Sequence, residues 1–218
     1  MANSKTLMAS FLIPLTLTSF MFSLAMANFY HTISPMSLGS REEKLTHFHF
    51  YFHEVVTAQK PSLVIAMEPL KGKSKCPLPF GSLVVIEDPL TTEPNPNSKL
   101  IGKAQGFYIS AAQTEGLELE LVMGMTLTFL EGEYNGSTLS VLGINTIFSE
   151  VREMPIIGGT GAFRFARGYV LARSVNVDYL NGDATVEYNV YVFHYSSHHH
   201  DKFNEGIQYT TDPTLDKI

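Results

Sequence analysis

Between Leu117 and Phe129 every second residue is large and apolar. Leu117, Leu119, Leu121, Met123, Met125, Leu127 and Phe129 fall on one side, with Glu118, Glu120, Thr126 and Thr128 among the residues between them. Successive side chains of an extended chain point to opposite faces, so alternation sustained this far specifies a strand with one buried face. Runs at 47–56, 62–68, 81–87, 100–112, 138–148, 168–177 and 184–195 also read as strands, and Gly, Pro and Asn punctuate between them in "TTEPNPNSK", "EGEYNGS" and "GGTG". No window carries a long helical stripe. About eight strands without intervening helices predict an all-β domain, a barrel or a sandwich, and closure into a barrel removes the exposed strand edges. Neither an internal repeat nor a second domain is evident.

The N-terminus constrains where such a domain would work. Lys5 precedes an apolar run from Phe11 to Leu24, and Ala25-Met26-Ala27 fits the small-x-small pattern of a signal peptidase site. Residues 1–27 are therefore expected to be a secretory signal, and the run is short for a bilayer span. What remains has the length of one domain. The chain carries a formal net charge of −6, and the signal contains Lys5 and no acid, so the mature protein is more acidic still. That argues against a nucleic-acid partner, which needs a clustered basic face. Cys76 is the sole cysteine, so no intrachain disulfide can form and packing must supply the stability. The sequon Asn135-Gly136-Ser137 is a candidate glycosylation site on this route.

The stretch "HFHFYFHE" (47–54) concentrates chemistry. On a strand, Phe48, Phe50, Phe52 and Glu54 share one face, while His47, His49, Tyr51 and His53 share the other. Histidines two apart can chelate zinc or copper, but nothing supplies a second set of ligands at recognisable spacing, so a half-exposed polar face is the simpler reading. Glu54 continues the phenylalanine face. If that face points inward, the carboxylate must be paired, hydrogen-bonded or protonated; alternatively it lies at the strand end and reaches water. Between residues 100 and 112 the even face is nearly all small, which would leave internal volume for a ligand or would pack against another layer. Tyr108 projects from that face. Asn145 shares a face with Leu139, Val141 and Ile147, and Arg152 lies on a line with Met154 and Ile156. One carboxylate, one phenol, one amide and one guanidinium could converge.

The blocks "FYFHEVV", "VVIEDPLT", "KAQGFY", "FLEGEYNGSTLSVLG" and "VREMPIIGGTGAFRFARGY" closely resemble the dirigent proteins of plants, in order and at matching spacing over roughly Thr46 to Tyr195. The resemblance implies an eight-stranded antiparallel β-barrel of the allene-oxide-cyclase-like type, assembled as a homo-oligomer (a trimer or dimer) and secreted to the apoplast and cell wall. It also implies stereochemical control over the coupling of monolignol radicals, such as those of coniferyl alcohol, in lignan-type phenylpropanoid biosynthesis. Carried over residue by residue, the pocket comprises Glu54, where the family typically has aspartate, Tyr108, Asn145 and Arg152. Pinoresinol-forming members have an aspartate at the position of Asn145, and an amide cannot act as a base near neutral pH. The expected organisation is a signal at 1–27, an extension at 28–45, the barrel at 46–195 and a polar tail with His198 to His200 at 196–218, without periodicity and expected to be disordered.

The glycine-rich "GGTGAFRFARG" fails the dinucleotide pattern, because Arg164 stands at the last glycine position, and no Gly-Lys-Ser/Thr follows. No nucleophile elbow, zinc-protease motif or haem attachment motif occurs, and no cofactor is expected. Radical coupling would then need an external laccase or peroxidase, the barrel acting by orientation alone. Two other functions compete. Dirigent relatives include pterocarpan synthases, which dehydrate an isoflavanol through a quinone methide; an acid such as Glu54, its pKa raised by burial, could protonate the leaving hydroxyl there without any oxidant. The third is a secreted protein that only binds phenolics or glycans.

Overall fold

The computed structural model describes residues 42–69, 78–113, 119–178 and 180–195. The expected signal, residues 28–41 of the extension and the 196–218 tail lie outside the described residues. Among the described residues nine strands form: β1 (Glu43–Glu54), β2 (Leu63–Met67), β3 (Leu83–Thr91), β4 (Leu100–Ser110), β5 (Glu120–Phe129), β6 (Thr138–Thr146), β7 (Arg152–Thr160), β8 (Arg167–Val177) and β9 (Ala184–Tyr195). Among the described residues no helix is long and apolar enough to cross a membrane.

Each strand from β3 to β9 pairs antiparallel with the next. β9 then pairs with β1 along its length, from Glu43↔Tyr195 to Glu54↔Ala184. β1 closes on β3 through Tyr51↔Thr91 and Phe52↔Leu90. Eight strands thus close an antiparallel barrel with no free edge along those pairings. β2 is the ninth. It pairs with β3 from Leu63↔Ile86 onward, the same edge of β3 that β1 occupies lower down. β1 and β2 are therefore one stave of the wall, interrupted by the excursion 55–62.

The alternation seen in the sequence is the burial pattern. Leu121, Met123, Met125, Leu127 and Phe129 face the core, as do Leu139 and Val141 of β6 and Val190 and Val192 of β9. β7 was not among the expected strands, and the glycines of "GGTG" that close it read as a turn. Pro155 is accommodated where a ladder ends: β6 pairs with β7 only from Thr138↔Thr160 to Val141↔Ile156, so its missing N–H costs no hydrogen bond there. The glycine-rich segment does form a turn, with Gly161 at φ +62° opening a short 3-10 turn, Gly161–Phe163. The small face of β4 has a different cause from the one expected. A Cβ on Gly106 would lie 2.1 Å from the Gly124 carbonyl oxygen, so there the missing side chain permits close approach of β4 to β5 instead of leaving free volume.

One end of the barrel is packed with rings. Phe48 stacks on Phe129 at 4.8 Å between centroids, and Phe163 meets Tyr134 at 5.0 Å and His194 at 5.1 Å. His194 Nε2 lies 2.8 Å from the Thr46 hydroxyl, and its Nδ1 donates to the Tyr195 carbonyl at 3.2 Å. This end is closed. The polar groups gather towards the other end, where β1, β4, β6 and β8 finish and β3, β5, β7 and β9 begin.

Candidate functional site

Alternation places Glu54 on the inner face of β1 beyond Phe50 and Phe52, Tyr108 on that of β4, Asn145 on that of β6 and Arg152 on that of β7. The Tyr108 hydroxyl lies near enough to the Glu54 carboxyl for each to act on the other's titration. Arg152 Nη1 donates to the Ser174 hydroxyl at 2.7 Å and the Ile147 carbonyl at 3.2 Å. Asn145 Nδ2 faces Met123 Sδ at 3.6 Å. Asn145 is 8 % exposed, Tyr108 7 % and Arg152 3 %. Asn135, the sequon asparagine, is exposed on the turn between β5 and β6.

The histidines of β1 divide. His47 and His49 lie outside, bonded to Asn189 at 2.9 Å and Glu187 at 2.7 Å. His53 departs from the expected half-exposed face: it is buried, with Nε2 2.7 Å from Thr91 Oγ1 and Nδ1 3.2 Å from Thr185 Oγ1, and burial lowers its pKa. Among the described residues no group of three or more His, Cys, Asp or Glu is arranged to hold a metal.

Two inward groups were missed by the sequence reading, Asp88 and Tyr188. Asp88 is completely buried on β3, and continuing the register Tyr51↔Thr91, Phe52↔Leu90 sets it opposite Glu54. The Ser62 hydroxyl, which accepts the Val55 N–H at 2.8 Å, donates to Asp88 Oδ1. Asp88 Oδ2 has no hydrogen-bond partner among the described residues, and the same holds for Asn145 Oδ1 and Arg152 Nε. Buried polar atoms are nearly always satisfied. Three unsatisfied ones among the described residues are donors and acceptors that the fold itself leaves without partners.

The electrostatics follow from burial. Desolvation pushes the Glu54 carboxyl up to about 7, against the Tyr108 hydrogen bond, with Asp183 adding repulsion. Asp88 is pushed up to about 8 by the same loss of water, against the Ser62 hydrogen bond, with Glu54 adding repulsion. Desolvation also raises Tyr108 and Tyr188 above the ordinary phenol value, and the Arg152 guanidinium opposes that rise at Tyr188. Burial lowers Arg152, which remains a cation because guanidinium titrates so high. Two carboxyls near neutrality and a fixed cation can hold or release protons while binding phenolic oxygens.

A closed antiparallel barrel with an acid–base set at one end is thus the class that fold and site define. Residues 45–193 match the model of the family described as Dirigent-like protein, and the chain belongs to the dirigent family. It is 56% identical to pterocarpan synthase 1 of Glycyrrhiza echinata over 196 residues, 89% of this chain and 100% of that one. It is 57% identical to pterocarpan synthase 1 of Glycine max over 178 residues, 81% of this chain and 94% of that one. The solved structure of the pterocarpan synthase dirigent protein GePTS1 superposes with a TM-score of 0.70 at 58% identity, covering 77% of this chain and 100% of that one.

Proposed function

We propose that this barrel is a secreted dehydratase of the pterocarpan-synthase kind, which closes a ring in an isoflavanol by loss of water through a quinone methide. The observation that carries the reading is the buried carboxyl of Glu54 at about 7, next to Tyr108, in a barrel whose interior also holds unsatisfied polar atoms of Asn145 and Arg152. A carboxyl near the working pH both gives and takes protons efficiently. The relatives named as pterocarpan synthases support the substrate class. Glu54 and Tyr108 exchange protons at the substrate's phenol, and Arg152 and Asn145 hydrogen-bond its other oxygens. Dehydration is redox-neutral, so no oxidant is required.

The monolignol-coupling function first expected from the family resemblance gives way to this reading, and Asn145, standing where pinoresinol-forming members have aspartate, weighs the same way. Incubation of the purified protein with an isoflavanol and no oxidant, and separately with coniferyl alcohol plus laccase, separates the two by chiral chromatography. Cyclised product in the first arm is expected. Enantiomeric excess confined to the second arm would restore radical coupling.

The barrel's outer wall supports a homo-oligomer. Val64, Val85, Phe107, Gly124 and Leu142 follow one another in register across β2 to β6, and all but the glycine are large apolar side chains at least 40 % exposed. Such a contiguous apolar row marks an association surface. Light scattering of the purified protein should give a multiple of the monomer mass, reduced to one by Leu142→Glu; a monomer at micromolar concentration would count against it.

A further inference from the structure

The reaction proposed above gives Asp88 no task, although it is the most deeply buried carboxyl in the wall. We infer that Asp88 is a second catalytic residue: it protonates the departing hydroxyl of the substrate and later takes the proton of the attacking phenol, while Glu54 serves the phenol at the far end of the same ring. This assignment rests on the ring-closing dehydration, and relieves Glu54 of the leaving-group role the sequence suggested.

Three features of the geometry point to it. Asp88 is 0 % exposed on the inner face of β3, in line with Val84, Ile86 and Leu90, so its carboxyl points into the barrel and away from the outer surface. Only one of its oxygens is engaged: Ser62, itself fixed by the Val55 N–H, aims the group through Oδ1, and Oδ2 has no partner among the described residues. A buried carboxyl with one idle oxygen is stable as the neutral acid with the proton there, which is the form that can donate. Third, Glu54 faces it across the β1–β3 pairing. The Glu54 charge adds to the desolvation that holds Asp88 in its neutral form, and with Arg152 as the buried cation one neutral and one ionised carboxyl leave the interior neutral.

The proton balance closes. The benzylic C–O bond breaks with its electron pair staying on oxygen, and the Asp88 proton completes the water molecule. Glu54 takes the proton of the phenol para to that carbon, and the electrons released form the quinone methide. The second phenol oxygen then adds to the methide carbon, forming the ether bond, and its proton goes to Asp88. Glu54 returns its proton to the quinone oxygen. One water is lost, both carboxyls return to their starting states and nothing is oxidised or reduced.

The test uses the full chain with three compounds: the isoflavanol, its benzylic acetate and the isoflavan lacking that oxygen. Acetate departs without a proton and can itself serve as the base for closure. Asp88→Asn is expected to lose at least about a hundredfold in turnover of the alcohol, to stay within about tenfold of wild type on the acetate, and to bind the isoflavan as wild type does by calorimetry. Glu54→Gln is expected to fail on both substrates. Should Asp88→Asn not fold, Ser62→Ala, which leaves the carboxyl present but unaimed, is expected to show the same substrate split at smaller size. Equal losses on both substrates, or none on the alcohol, would overturn the assignment while leaving the dehydration intact. Wild type inactive on the alcohol would defeat the dehydration reading and this assignment with it.

Discussion

Replacing Glu54 by glutamine is expected to lower turnover of an isoflavanol by on the order of a thousandfold, while substrate affinity changes by no more than a few-fold. Glutamine keeps the shape and can still accept the Tyr108 hydrogen bond, but it neither stores nor releases a proton near neutrality. The loss should therefore appear in kcat. The structural warrant is the position of the carboxyl: inward on β1, next to Tyr108, and moved by desolvation to about 7, where both protonation states are populated at neutral pH. Steady-state kinetics on the wild type and on the variant decide it. A variant with undiminished kcat, or one whose loss lies wholly in KM, would reduce Glu54 to a binding group.

The second large effect is on the fold. Below about pH 3.8 both interior carboxyls are protonated whether the chain is folded or not. As pH rises, the unfolded chain ionises them at their ordinary values of 3.8 and 4.5, whereas the folded barrel holds their protons until about 7 and 8. Over that interval the native state binds more protons than the unfolded state, so stability falls with pH, and the loss is complete only above pH 8. His53 acts oppositely. Burial holds its pKa below the ordinary 6.5, so it destabilises the fold only on the acid side of that value. Between pH 6.5 and 9 the carboxyls act alone among these groups. Each extra proton that the folded barrel retains costs about 1.4 kcal/mol for every pH unit over which it is held, so the remaining loss across this window is on the order of 2–3 kcal/mol, or about 5–10 °C in melting temperature for a domain of this size. Thermal unfolding at the two pH values measures it. Asp88→Asn, which cannot ionise, should remove the larger share of the slope; a wild type equally stable at both pH values would contradict the buried-acid picture.

Where each strand turns a single face to the core, the sequence carries the structure openly. The Leu121 to Phe129 series was readable because five inward side chains are large, apolar and strictly alternate. β7 was not readable, since Pro155 and two glycines resemble a turn unless one knows that the ladder to β6 stops beside the proline. Glu54 betrayed itself as a carboxylate continuing a phenylalanine face. Asp88 does the same on β3, where Val84, Ile86, Asp88 and Leu90 alternate inward, but the expected strand stopped at residue 87, one position short of it. Extending the period by that position would have found it. No local pattern could show that Ser62 reaches Asp88, because that contact depends on where the chain returns after its excursion from the wall.

That excursion carries a consequence for how barrels of this kind diverge. Residues 55–62 leave the β1 line and rejoin it as β2, anchored at one end by Asp183 to the N–H groups of Val56 and Thr57 and delivering Ser62 at the other. The backbone of Ser62 is tied to Val55 and to Glu87 of β3, so the residues between Val56 and Pro61 can change while the serine and the eight-strand ladder stay in place. The rim of such a barrel can thus vary in sequence while the vessel and the aimed acid beneath it are kept.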